Sequence, residues 1–239
     1  MFRKIYGLFK VGDITICAHW SFVISVALLG LFFNNYFTEA LPLSAKSPIT
    51  IFLYTALTMI LIYASLLIHE FAHSAVSAKY GAPVNYVVFF AFGAAAITEK
   101  DINSAGGEFK MAIAGPLASV IIAGLAYGLS IFGSAVEILN QTKYIPIFQI
   151  LGWVYSINLY IAIFNLIPAF PMDGGRILRA GLWHLAKDKS GATRVSAYLA
   201  LWIGILGLIS PIFFGLQMFF IALIGFFIVA SAYAITKFV

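Results

Sequence analysis

Six long apolar runs limit what this chain can fold into: Ile14–Phe33, Thr50–Ala78, Phe109–Phe132, Ile145–Ile167, Val195–Ile209 and Pro211–Ile235. A helix needs about 20 apolar residues to cross a bilayer core, and most of these runs reach that length. Only 10% of the 239 residues are charged and 62% are hydrophobic, whereas a soluble domain carries about 25% charged residues. There is too little polar surface to cover a water-soluble globule. The expectation is an all-α polytopic membrane protein, with six transmembrane helices in one unit over residues 1–239. Arg3, Lys4 and Lys10 precede the first run as in a signal peptide. A run of about 20 residues with no small-residue cleavage site reads instead as a retained helix. The fifth run is short, and Ser210-Pro211 reads as a tight break before the sixth, because proline disfavours helix in the residue ahead of it.

Charge sets the expected direction. With the N-terminus inside, twelve of the 14 Lys and Arg residues fall on the cytoplasmic side, leaving Lys46 and Lys143 outside. The positive-inside bias predicts a multi-pass protein of the cell membrane with both termini cytoplasmic. It also accounts for the net charge of +5 without a nucleic-acid partner. Cys17 is the lone cysteine, so no intrachain disulfide forms. Residues Val87 to Ile97 are too apolar for a solvated loop and too short to span. They read as a membrane-associated hairpin or re-entrant segment between helices 2 and 3, or as a patch at the interface. After Gly174-Gly175, the residues Ile177, Leu178, Leu182 and Leu185 share one helical face, which predicts a helix lying on the cytoplasmic surface. Gly124 and Gly128 form a GxxxG, read as close helix packing.

Two clusters put ionisable groups where lipid makes them costly. The first is His69-Glu70-Phe71-Ala72-His73 in the second span. Residues four apart lie one turn along the same helical face, so both imidazoles can reach one ion. Two such histidines with a glutamate between them form the metalloprotease arrangement, the histidines binding zinc and the glutamate serving as general base. The bland alternative is a pair of core histidines bonded to backbone. The second cluster is Asn165 through Pro168, Pro171, Asp173, Gly174 and Gly175. The prolines deny the fourth span a regular end, and the glycines allow a sharp turn. A catalytic zinc commonly has three protein ligands, and Asp173 is the candidate for the third. It is otherwise the N-cap of the helix that follows. His69 lies ten residues before Lys79, roughly 15 Å along a helix, which sets the site below the cytoplasmic surface. Asn165 can serve a substrate backbone or developing oxyanion, or it can be interhelical glue like Asn158.

His-Glu-x-x-His within a span, followed about a hundred residues later by Asn-Leu-Ile-Pro-Ala-Phe-Pro-Met-Asp-Gly-Gly-Arg-Ile-Leu, closely resembles the site-2 protease family of intramembrane zinc metalloproteases. Ala-Gly-Pro-Leu-Ala-Ser at 114–119 is similar to another recurring piece of that family. The likeness is to the compact archaeal and bacterial branch. It implies hydrolysis of peptide bonds within transmembrane segments of substrate proteins in the bilayer, with one zinc ion per chain. By position, His69, His73 and Asp173 match the zinc ligands, Glu70 the catalytic base, and Asn165 an assisting residue. The loop around Gly93 matches a substrate-meeting hairpin, although Ala94 stands where a second glycine is common. No PDZ or CBS segment is visible, as expected of a catalytic core. The rival reading is a proton- or metal-coupled transporter using the same His, Glu and Asp groups.

Overall fold

The computed structural model describes residues 5–43, 46–98, 100–135 and 144–237. Its elements run β1 (Ile5–Val11), β2 (Ile14–His19), α1 (Phe22–Ala40), α2 (Pro48–Lys79), β3 (Val84–Phe90), β4 (Gly93–Thr98), α3 (Ala105–Ala135), α4 (Ile145–Asn165), α5 (Asp173–Ala186), α6 (Lys189–Phe214) and α7 (Phe219–Thr236). Among the described residues, α1, α2, α3, α4 and α6 are long and apolar enough to cross a membrane. The apolar stretch of α7 is shorter.

The chain is mostly helical but not all-α. A four-stranded sheet runs in the order β1-β2-β3-β4, with β2 and β3 parallel and the other pairs antiparallel. The first apolar run therefore divides: residues 14–19 are strand β2 rather than the start of a helix, and α1 begins only at Phe22. The β-branched residues Ile14, Thr15 and Ile16 favour a pleated partner, and β2 pairs on both sides. Strands β3 and β4 pair antiparallel on either side of the turn before Gly93, within this larger sheet. Ile16, Val84, Val87 and Phe89 pack the sheet against Tyr63, Leu66, Leu67 and Phe71 of α2.

The other correction lies late in the chain. Helix α6 does not break at Ser210-Pro211 but continues to Phe214 with Pro211 inside it. Proline lacks the N–H that would bond the carbonyl four residues back. Here that carbonyl, Gly207 O, accepts the Ser210 hydroxyl at 2.7 Å. The break comes at Gly215, whose φ of +86° suits glycine.

Helix α2 is the centre of the bundle. Its buried face, Thr55, Thr58, Ile62, Ser65, His69 and His73, recurs at helical spacing. At one end Phe33, Phe37, Ile51, Ile62, Ala126, Ile150 and Val154 join α1 to α4 in an apolar core. An ideal Cβ on Gly124 or Gly128 would meet nothing within 4 Å among the described residues, so these glycines make no close contact there. Close backbone approach occurs elsewhere, as at Gly225 against Gly204 O (2.6 Å from an ideal Cβ).

Candidate metal centre

The two sequence clusters meet. His69 and His73 project from α2, and Asp173 is the first residue of α5, a hundred residues on in sequence. His69 Nε2 lies 3.1 Å from His73 Nε2. Asp173 Oδ2 lies 3.4 Å from the first and 3.1 Å from the second. All three residues are nearly enclosed, at 2%, 6% and 9% exposure. Asp173 does not cap α5; Met172 holds the N-cap position, and no side chain bonds the helix end.

These separations come close to those of a metal site. Zinc bound at 2.0–2.2 Å in a tetrahedron sets its ligand atoms about 3.3–3.6 Å apart; one pair here falls in that range and the other two are about 0.2 Å short of it. The hydrogen bonds behind the rings agree. His73 Nδ1 donates to the main-chain carbonyl of Met111 at 2.6 Å, and His69 Nδ1 shares a hydrogen bond with Ser119 Oγ at 2.9 Å. A carbonyl can only accept, so Nδ1 of His73 carries the proton, and in the neutral ring the Nε2 lone pair faces the cavity. Second partners of this kind fix ring orientation in metal sites. Lone pairs converging on one carboxylate oxygen repel unless a cation sits among them. The donor set therefore fits zinc.

Local sequence explains the convergence. An ideal Cβ on Gly174 would collide with the Ile167 and Leu166 carbonyl oxygens, and one on Gly175 would come within 2.6 Å of Phe170 N. The glycine pair lets the backbone of α5 lie directly on the proline-rich loop, and that brings Asp173 to the histidines. On the opposite wall, a Cβ at Gly115 would overlap His73 Nε2 and approach His69 Nε2 to 2.6 Å. Glycine in α3 makes the room that both imidazoles occupy.

Glu70 is 8% exposed and turns toward the sheet, where the Ala96 N–H donates to its Oε2 at 3.1 Å. Strand β4 pairs only with β3, so its outer edge faces α2 and the site. Ala94, Ala95 and Ala96 line the cavity with His69 and Glu70, and Lys100, Arg176 and Lys189 line it too. That cavity, about 160 Å³, has room for several waters. Gly93 sits at the turn of the hairpin with φ of +145° and does not line the cavity. Asn165 lines it, with its amide donating to Ile161 O at 3.0 Å. Asn158 lies apart, joining α4 to Ser65 of α2 as the glue reading expects. Gly115 and Ser119 belong to the Ala-Gly-Pro-Leu-Ala-Ser piece noted in the sequence, without a role assigned to either; Met111 and Ala96 were not singled out, since each acts through its main chain.

Asp101, also on the lining of this cavity, is bonded by Lys189 Nζ at 3.1 Å. Partial burial pushes the Asp101 carboxyl up, but the Lys189 hydrogen bond and charge, with Arg179 and Arg176 behind them, outweigh it and hold the pKa below its ordinary value.

Known proteins point the same way. Residues 133–209 match the family described as Peptidase family M50. Zinc metalloprotease MJ0392 of Methanocaldococcus jannaschii is 34% identical over 209 residues, covering 85% of this chain and 54% of that protein. Protein sll0528 of Synechocystis sp. is 33% identical over 212 residues, covering 86% and 53%. Rip3 of Mycobacterium tuberculosis is 30% identical over 236 residues, covering 96% and 58%. The chain thus spans about half the length of these relatives. A solved structure, the Site-2 Protease from Methanocaldococcus jannaschii, superposes with a TM-score of 0.67 at 28% identity, covering 97% of this chain and 94% of that one.

Proposed function

We propose, from the premise that the chain belongs to peptidase family M50, the family of the site-2 proteases, that it is a zinc endopeptidase cutting peptide bonds within transmembrane segments of other membrane proteins. The observation that carries this reading is the meeting of His69 Nε2, His73 Nε2 and Asp173 Oδ2 within 3.1–3.4 Å of one another. One zinc ion per chain is held by these three residues. When bound, zinc supplies Lewis acidity that acidifies water and polarises a peptide carbonyl.

The chain's own residues do the rest. Glu70 takes a proton from the attacking water and returns it to the leaving amide nitrogen, as a general base and then acid. Its Oε2 is steadied by Ala96, which aims the carboxylate into the cavity. Asn165 exchanges its bond to Ile161 O for one to the substrate backbone and so helps hold the scissile carbonyl. A helical substrate hides its carbonyls in its own hydrogen bonds, so the cut segment must unwind. The outer edge of β4 offers such an extended segment main-chain partners beside Glu70, and Gly93 supplies the turn that carries that edge.

Water must reach this depth, where lipid excludes it. The cavity is lined in part by the basic residues Lys100, Arg176 and Lys189; it opens to the cytoplasm in this reading, which places both termini there with six crossings, α7 making the last. The hairpin of β3 and β4 then dips into the inner leaflet.

The test joins metal analysis to cleavage of a transmembrane substrate in detergent. Wild type is expected to carry about one zinc per chain and to cut within the apolar segment. The transporter reading requires metal or proton flux in proteoliposomes with no peptide hydrolysis, and that pair of results would replace this proposal.

A further inference from the structure

Glu108 and Arg179 line the same cavity, yet their bond to each other has no part in the roles given above. Glu108, in the first turn of α3, is 2% exposed. Arg179, in the second turn of α5, donates from Nε to Glu108 Oε1 at 2.7 Å and pairs with the same oxygen through Nη2. Its guanidinium carbon lies 5.2 Å from the centroid of the Phe170 ring. A buried ion pair is a weak stability device, because desolvation offsets most of its attraction. Its position explains it better.

Glu108, Met111, Gly115 and Ser119 are spaced by three, four and four residues, which puts them on one side of α3. Three of them serve the histidines: Met111 and Ser119 bond the two rings, and Gly115 makes room for both. The fourth, Glu108, reaches α5 instead, the helix that begins with Asp173. One face of α3 therefore touches both halves of the site. Helix α5 is seated at its start, where Gly174 and Gly175 lie on the loop backbone, and packs against α3 and α6. Apolar packing tolerates small shifts of a helix, whereas a buried ion pair fixes direction as well as distance. Arg179 sits six residues on from Asp173, roughly 9 Å along the helix, and supplies that directional bond to α3.

We propose that the Glu108–Arg179 pair is a positioning device for the metal site. It sets the direction of α5 and so holds the Asp173 carboxylate at bonding distance from the ion shared with His69 and His73, while Phe170 keeps the guanidinium in its pose. This rests on the zinc reading above.

Glu108→Gln with Arg179→Gln removes both charges without stranding either. Zinc affinity of the purified full chain in detergent is measured by competition with a chromogenic chelator, alongside thermal unfolding of the metal-free protein. The double variant is expected to bind zinc at least tenfold more weakly, the range found for groups behind metal ligands. The loss should vanish when Asp173→Asn is already present, because the pair acts through that residue, and should multiply with the loss from Ser119→Ala, which acts through His69. Arg179→Lys keeps the charge but loses the planar fork, and is expected to fall between wild type and the double variant. Unchanged affinity in the double variant overturns the inference, and so does an equal loss in the Asp173→Asn background, which marks general loosening. Wild type that takes up no zinc defeats the functional reading as well, and that outcome is distinct from the other two.

Discussion

Gly115→Ala is the sharpest perturbation of the site that replaces no candidate ligand. The new Cβ would fall 2.6 Å from His69 Nε2 and 2.6 Å from His73 Cε1, and closer still to His73 Nε2, whereas ordinary contact begins at 3.4 Å. His69 Nε2 would have to retreat by about 0.8 Å, four times the ±0.2 Å within which metal–ligand distances must fall. Neither ring can swing freely, because Ser119 and Met111 hold them from behind. Overpacking of this kind costs about 1–3 kcal/mol, and the misplaced donors should weaken zinc about a hundredfold, or about 2.7 kcal/mol. Gly124→Ala is the matched control on the same helix. Among the described residues nothing lies within 4 Å of an ideal Cβ there, so alanine should be neutral or stabilising by up to about 1 kcal/mol. The assay is zinc competition and transmembrane-substrate cleavage for both variants, with circular dichroism to follow helix content. If Gly115→Ala binds zinc and cuts like wild type, the packing of α3 against the imidazoles is not what shapes this centre.

Other changes separate the parts of the site. Glu70→Gln should keep its zinc and lose cleavage by about 10²–10⁴-fold, the usual worth of a general acid–base group, whereas His73→Ala should lose both in the same metal assay. Gly174→Ala pushes a methyl into the Ile167 and Leu166 carbonyl oxygens; it should displace Asp173 and release metal, visible as zinc content well below one per chain. Lys189→Met removes the partner of Asp101, whose folded pKa is lowered. A lowered carboxyl pKa stabilises above its unfolded value near 3.9 and loses that contribution as pH falls through the folded value. The Asp101 side chain is 76% exposed, so the effect on thermal unfolding at pH 7 should stay under about 1 kcal/mol, shrink with salt and disappear in acid.

How far the site could be read from the chain follows from the range of the forces involved. His69 and His73 are four apart on a helix, and helical periodicity alone brings their rings together. Asp173 was reachable because charge at that depth demands a partner, and the proline and glycine pairs marked where the backbone could fold back. Helix α2 and the beginning of α4 were legible for the same reason: an uninterrupted apolar run of sufficient length has few other ways to satisfy its backbone in lipid. The misreadings occur where that rule loosens. Residues 14–19 are as apolar as a span, and composition does not separate strand from helix over six residues. What decides is a parallel partner, Thr15 to Ala18 against Tyr86 to Phe89, about seventy residues away, which no local pattern announces. Pro211 was read as a break because its missing N–H is visible in sequence, while the Ser210 hydroxyl that serves the vacated Gly207 carbonyl depends on a side-chain rotamer.

The same distinction explains why the outer partners of the site stayed hidden. Ser119 and Met111 act on the rings through one hydroxyl and one carbonyl. Ala96 acts on Glu70 through a main-chain N–H. Met111 and Ala96 are ordinary for an apolar helix or a strand, so sequence gives them no mark. Ser119 and Gly115 fall in the Ala-Gly-Pro-Leu-Ala-Ser piece, but nothing in it says that one bonds a ring and the other makes room by the side chain it lacks. A metal centre in a membrane thus divides into ligands, which must be ionisable and stand out, and a frame, which must be apolar or main-chain and does not. Here the frame is one face of α3 and the edge of β4, and both are fixed only once the sheet and the bundle have closed around α2.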